Sequence, residues 1–149
     1  MERLIEMLKR HEGEVKTNGQ HVLYKCSAGY WTIGIGRNID INGGIGLSDD
    51  EVDHLLENDV ERVIKELSSE YGWFNDLDDV RKDAMIDISF NLGATKLRKF
   101  VLALDAMAKA DYKSAAKEFL DSAWSRAVKG RSIELASMIE TGEYYSEVR

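Results

Sequence analysis

Three side chains stand out by type and place. Glu12 closes a short apolar-periodic segment in which Leu4, Ile5 and Leu8, with Met7 beside them, recur at helical spacing, so Glu2 to about His11 is expected to be helical and Gly13 to end it. A carboxyl at a helix end that faces a cleft is partly desolvated, which disfavours its charged form and keeps a proton to hand over. Cys26 is the single cysteine of the chain, so it has no intramolecular disulfide partner and its thiol is free for chemistry. Thr32 lies in a β-like run, Tyr30-Trp31-Thr32-Ile33, and offers a hydroxyl. Each has a bland counterpart: a wet surface carboxylate, a small apolar core cysteine, and a β-branched residue chosen because it packs well in strands. His11, His21 and His54 show no paired ligand spacing, so neither a metal nor a cofactor is expected.

The elements that must hold these residues follow from pattern. Asn18-Gly19, flanked by Val15 and by Val22-Leu23-Tyr24, suits a tight hairpin because both residues tolerate positive φ. Gly34, Gly36, Gly43, Gly44 and Gly46 make a turn-rich loop up to Leu47. Ser48 and Glu51 have capping-box spacing, and Val52, Leu55, Leu56, Val60, Val63, Ile64 and Leu67 continue one helix to about Ser69. At its rise per residue that helix is about 30 Å long, enough to join two lobes. Helical patterns follow over Val80 to Leu92, Lys96 to about Lys109, Tyr112 to Trp124 and Arg131 to Glu140, with Gly142 as the last cap.

Strands and helices are thus segregated, which defines an α+β architecture: a small β lobe and a helical-bundle lobe joined by a long helix. Residues 1–149 are expected to form one domain, with about 13–47 as the β lobe, about 48–70 as the connecting helix, and 1–12 with 71–149 as the helical lobe. The junction of the lobes is the expected cleft.

The formal charge is -7, and it is uneven: residues 1–47 carry 6 basic and 5 acidic groups, residues 48–91 carry 4 and 14, and residues 92–149 carry 10 and 8. No basic face for phosphate is apparent, so nucleic acid is not an expected partner. Glu2, Arg3, Glu6, Lys9 and Arg10 interrupt the N-terminal apolar residues, so neither a signal-peptide core nor stable membrane insertion is expected.

The stretch Glu12-Gly13, Tyr24-Lys25-Cys26 and Gly29-Tyr30-Trp31-Thr32-Ile33-Gly34-Ile35-Gly36 resembles the active-site region of phage-type lysozymes, the endolysin family. The likeness continues more loosely through Ser48 to Asp59, Asp79 to Gly93, and Trp124 to Gly142. It implies a two-lobed lysozyme fold and a monomeric muramidase that hydrolyses the β-1,4 bond between N-acetylmuramic acid and N-acetylglucosamine in peptidoglycan. It also implies expression in a host bacterial cytoplasm and release to the wall by a separate membrane-permeabilising protein.

By this resemblance Glu12 is the general acid, Cys26 assists attack at the anomeric carbon, and Thr32 positions water. Phe90, Asn91 and Arg131 are the implied saccharide-binding residues, and Tyr30 is a further candidate as an aromatic ring able to stack on sugar. Glycosidic cleavage needs a proton for the leaving oxygen and support for the oxocarbenium-like transition state on the opposite face, and Glu12 suits the first task. The family's better-known members carry Asp where Cys26 stands. An ordinary thiol is mostly neutral at pH 7, and a neighbouring carboxylate lowers its ionised fraction further. Cys26 could attack directly with retention or act as base for water with inversion.

Tyr24, Trp31 and Trp124 are expected in the core rather than on sugar. Arg37 replaces a histidine of the T-even enzymes, and Asp59 falls at its acidic partner, so an Arg37–Asp59 ion pair is expected. Ala127 stands where glutamine is frequent, and Thr17 to His21 reads as an insertion that lengthens the hairpin. Two other functions compete: a lytic transglycosylase, in which the muramoyl hydroxyl replaces water, and a catalytically impaired peptidoglycan-binding module.

Overall fold

The computed structural model describes residues 1–146. It is α+β, and the chain divides into two compact units, Met1–His54 and Leu55–Arg149.

The first unit opens with α1 (Glu2–Glu12), which stops at Gly13 in a left-handed conformation, φ 68°, as the glycine suggests. Its apolar residues Leu4, Ile5, Met7 and Leu8 are all exposed. β1 (Lys16–Thr17) and β2 (Gln20–His21) form an antiparallel hairpin, Lys16 opposite His21 and Thr17 opposite Gln20. Asn18 and Gly19 supply its turn with φ 50° and 78°, the double positive φ that a two-residue turn of matching twist requires.

A three-stranded antiparallel sheet follows, β3 (Tyr24–Lys25), β4 (Trp31–Ile33) and β5 (Arg37–Asn38), with β4 in the middle. Tyr24 pairs with Thr32, and Thr32 with Asn38. Cys26 N–H donates to Tyr30 O at 3.0 Å, so strand alternation puts Tyr24, Cys26, Tyr30 and Thr32 on one face. Thr32 is the one buried residue among residues 1–54.

α2 (Asp49–Glu70) begins with the expected reciprocal cap: Ser48 N donates to Glu51 at 3.0 Å, and Glu51 N donates to Ser48 Oγ at 3.2 Å. The boundary between the units falls within this helix.

The second unit holds the apolar core: Val63 and Leu67 of α2, Phe74 and Leu77 near a short 3-10 turn (Phe74–Asp76), and residues of α3 (Asp79–Leu92), α4 (Ala94–Leu97), α5 (Val101–Ala108), α6 (Tyr112–Leu120), α7 (Ala123–Val128) and α8 (Gly130–Thr141). α3 buries Ala84, Met85, Ile88 and Ser89, in keeping with its mostly apolar sequence. Gly142 ends α8 in the left-handed conformation, φ 71° and ψ 18°, and Arg81 donates to the freed carbonyls of Ile139 and Glu140 at 2.6 and 3.0 Å.

Two expected helices are each broken. The pattern over Lys96 to Lys109 is interrupted at Phe100, φ -80° and ψ 57°, whose ring turns onto Phe119 and Trp124 at centroid distances of 5.5 and 6.3 Å. The aromatic contact outweighs helix continuity there. The pattern over Tyr112 to Trp124 ends at Asp121, because Ser122 caps α7 by accepting from Ser125 N at 3.1 Å.

Candidate active site

Glu12 is the last residue of α1. Its carboxyl lies over Gly36: a Cβ built on Gly36 would stand 2.9 Å from Oε2 and 3.2 Å from Cδ. Gly36 adopts φ 74°, so the same residue makes the turn between β4 and β5 and leaves room for the carboxyl. Glu12 is exposed, and among the described residues none of the hydrogen bonds or ion pairs involves it.

Cys26 is half-buried at the start of the loop that joins β3 to β4. The thiol is held below its ordinary value by the polar groups around it, the Tyr30 and Ala28 backbone foremost, against the opposing effect of burial. The expectation of a thiol pushed towards neutrality is thus corrected. The loop is closed by Gly29 N donating to Cys26 O at 2.8 Å, with Gly29 at φ 86°.

Thr32 is 2% exposed, and its Oγ1 donates to Tyr30 O at 2.9 Å. Its single hydroxyl proton serves either that carbonyl or the sulfur, and its lone pairs accept when the proton goes to the carbonyl. Cys26, Thr32 and the Tyr30 backbone are therefore brought into one network. The Tyr30 side chain is 40% exposed. Trp31, expected in the core, is 46% exposed, with the Lys25 ammonium 5.0 Å from its ring centre.

Pattern reading missed Asp40. Its carboxylate accepts from Trp31 N and Asn42 N, both at 2.9 Å, and these bonds hold it below the usual carboxylate range. The signal was local: Asp-x-Asn ahead of a glycine run is a side-chain-capped turn.

The expected Arg37–Asp59 pair does not form. Arg37 Nη1 lies 2.8 Å from Glu51 and donates to Gly46 O at 3.0 Å, whereas Asp59 pairs with Arg62 at 3.0 Å. Glu51 stands two turns before Asp59, about 12 Å along the helix, and Ser48 already aims it at the loop that Arg37 reaches. Arg37 and the Ser48 cap hold the Glu51 carboxyl down to about 2.

In the second unit, Phe90 and Arg131 line one cavity of about 410 Å³ with Leu56, Val60, Asp83, Ile86 and Asp87. Phe90 is 44% exposed, and Arg131 is held by Asp87 at 2.6 Å. Asn91 is exposed, but its Oδ1 accepts from Trp124 Nε1 at 2.7 Å. Its amide is thereby oriented with the NH2 free to donate, so it presents a donor to a ligand rather than both functions. Trp124 is buried, as expected of a core residue.

The sequence pattern described as phage lysozyme matches residues 9–139. The chain is 29% identical to a probable T4-type lysozyme of Dictyostelium discoideum, over 92% of this chain and 93% of that protein. It is also 29% identical to an endolysin of Acyrthosiphon pisum secondary endosymbiont phage 1, over 93% of this chain and 89% of the endolysin. A third relative at 29% identity is the pre-baseplate central spike protein Gp5 of Enterobacteria phage T4, of which only 28% is matched by 96% of this chain.

Proposed function

The chain belongs to the phage lysozyme family and is a peptidoglycan-degrading glycoside hydrolase of the muramidase type, and within that activity we propose that Glu12, Cys26 and Thr32 carry the chemistry. Residues 1–149 make one lysozyme domain in this reading, with Glu12, Cys26, Thr32 and Tyr30 on the first unit and Phe90, Asn91 and Arg131 on the second.

Glu12 protonates the glycosidic oxygen as the bond to the N-acetylmuramic acid anomeric carbon breaks. On the opposite face a water accepted by Thr32 Oγ1 attacks that carbon and loses its proton to the Cys26 thiolate. The water's hydroxyl ends on the anomeric carbon with inverted configuration. Tyr30, Phe90, Asn91 and Arg131 bind the saccharide: two rings for stacking, an amide donor for an acetamido carbonyl, and a cation for carboxylate groups.

The observation that carries this assignment is that Cys26 and Thr32 share one face of the sheet and both donate to the Tyr30 carbonyl, Cys26 N–H at 3.0 Å and Thr32 Oγ1 at 2.9 Å. The lowered thiol also favours a second reading. A thiol that ionises more readily than usual is a weaker base and a readier nucleophile, so direct attack by sulfur with net retention fits the same geometry.

Purified peptidoglycan decides. Glu12→Gln is expected to lose clearing of the substrate while still sedimenting with it, and full activity in that variant refutes the acid role. Cys26→Ala at wild-type rate refutes a chemical role for the thiol. The first-formed anomer, read by NMR, separates inversion from retention, and a 1,6-anhydro product by mass would replace hydrolysis with transglycosylation.

No helix among the described residues is long and apolar enough to cross a membrane. The protein acts as a monomer, without nucleic acid, and waits in the host bacterial cytoplasm until a separate membrane-permeabilising protein gives it access to the wall.

A further inference from the structure

We propose that Asp40 is a positioning residue for the reaction, acting through the single peptide group that joins Tyr30 to Trp31. This rests on the roles given above to Cys26 and Thr32. That peptide group is held at both ends. Its N–H, on Trp31, donates to Asp40 Oδ2 at 2.9 Å, and its carbonyl, on Tyr30, accepts from Thr32 Oγ1 at 2.9 Å and from Cys26 N–H at 3.0 Å. A carboxylate accepting from one end of an amide polarises it and makes the carbonyl at the other end a stronger acceptor. The Thr32 proton is drawn to Tyr30 O, which leaves the Thr32 lone pairs to accept. The same clamp fixes the Tyr30 backbone against Cys26, whose own N–H donates to the Tyr30 carbonyl.

Asp40 is itself built in rather than draped on the surface. Asn42 N donates to its other oxygen at 2.9 Å, its own N–H donates to Asn38 Oδ1 at 3.0 Å, and Gly44 N donates to its carbonyl at 2.9 Å. A Cβ on Gly44 would approach Asp40 N and O to 2.6 Å, so the loop can close on Asp40 only because residue 44 is glycine. Ile39 N donates to Trp31 O at 2.9 Å, which fixes the far side of Trp31 as well. A charged group with both oxygens engaged inside a turn, one of them on the strand that carries Thr32, is more than a turn cap.

The test uses the sole cysteine as its own reporter. Iodoacetamide alkylation of Cys26 is followed from pH 5 to 10 in the whole protein, alongside kcat and KM on peptidoglycan. Asp40→Ala gives up both oxygens. Asp40→Ser keeps a hydroxyl able to cap Asn42 N locally but too short for Trp31 N, so it preserves the turn and removes the clamp. Arg37→Ala loosens the same loop at Gly46 and Glu51 without touching the Tyr30–Trp31 peptide.

For both Asp40 variants the alkylation rate at pH 7 is expected to fall about threefold as the Tyr30 backbone beside Cys26 slackens. kcat is expected to fall about tenfold with KM within about twofold. Arg37→Ala is expected to alkylate like wild type. An Asp40→Ser profile superimposable on wild type overturns the proposal, and so does an Arg37→Ala profile that matches it, because the effect would then be loop loosening alone. Alkylation does not depend on catalysis, so these outcomes are read separately from the Glu12→Gln and Cys26→Ala tests of the reaction itself.

Discussion

Two glycines of the turn between β4 and β5 separate the backbone cost of a substitution from its effect on the acid. Gly34 and Gly36 both have positive φ, 63° and 74°. An alanine in this region costs about 1–2 kcal/mol at either site. For a chain of this size that lowers Tm by about 2–8 °C. The surroundings differ. A Cβ on Gly34 meets nothing within 4 Å, whereas one on Gly36 stands 2.9 Å from Glu12 Oε2 and 3.4 Å from Cγ. Restoring ordinary contact at 3.4 Å or more moves the carboxyl oxygen by at least about 0.5 Å. A 1 Å misplacement of a reacting group costs about 100-fold, so Gly36→Ala should lose about 10- to 100-fold in kcat. Gly34→Ala should lose similar stability and keep its turnover. Thermal melts and initial rates of peptidoglycan clearing measure both. Equal kcat for the two variants would refute either the acid role of Glu12 or the importance of its seat on Gly36.

Three further outcomes test the frame around the site. The Glu51 carboxyl is held down to about 2 from the usual 4.5 by Arg37 and Ser48. Its contribution is therefore complete above about 4.5 and is lost as pH falls towards 2. Glu51→Gln should flatten that part of the acid-stability curve relative to wild type, and an unchanged curve would dismiss the pair. Trp124→Phe removes the 2.7 Å bond to Asn91 and leaves space around a buried ring, so urea unfolding should show a loss of about 1–3 kcal/mol. Lys129 sits at φ 49° and ψ -110°, where a Cβ is strained, so Lys129→Gly should be about 1 kcal/mol more stable than Lys129→Ala in the same assay.

What pattern reading reached and what escaped it divide along a physical line. Asn18-Gly19, the Ser48 and Glu51 cap, and the helix ends at Gly13, Gly93 and Gly142 are set by neighbours within a few residues, and all appear where spacing placed them. The breaks at Phe100 and Asp121 escaped because aromatic packing and a serine cap overrode an unbroken helical pattern. Partner choice escaped too. Arg37 has Glu51, Arg131 has Asp87, and Trp124 has Asn91, at separations of 14, 44 and 33 residues, where sequence offers several equivalent charges or amides. The environment of Cys26 was the least legible, because its thiol is lowered chiefly by backbone groups, which every residue carries. Gly29, whose positive φ closes the loop, was the one residue in that stretch able to betray it.

The loop around Cys26 bears on the role proposed for its thiol. Backbone amides do not distinguish acceptors: what they stabilise is negative charge at the end of a short side chain, whether sulfur or carboxylate oxygen. In the mechanism proposed above residue 26 must take up negative charge, and the loop from Cys26 to Tyr30 favours that by lowering the thiol. Glu12, the proposed acid, has its carboxyl over Gly36. On these roles one group depends on the turn that Gly29 closes and the other on the room left at Gly36, which ties each to one glycine.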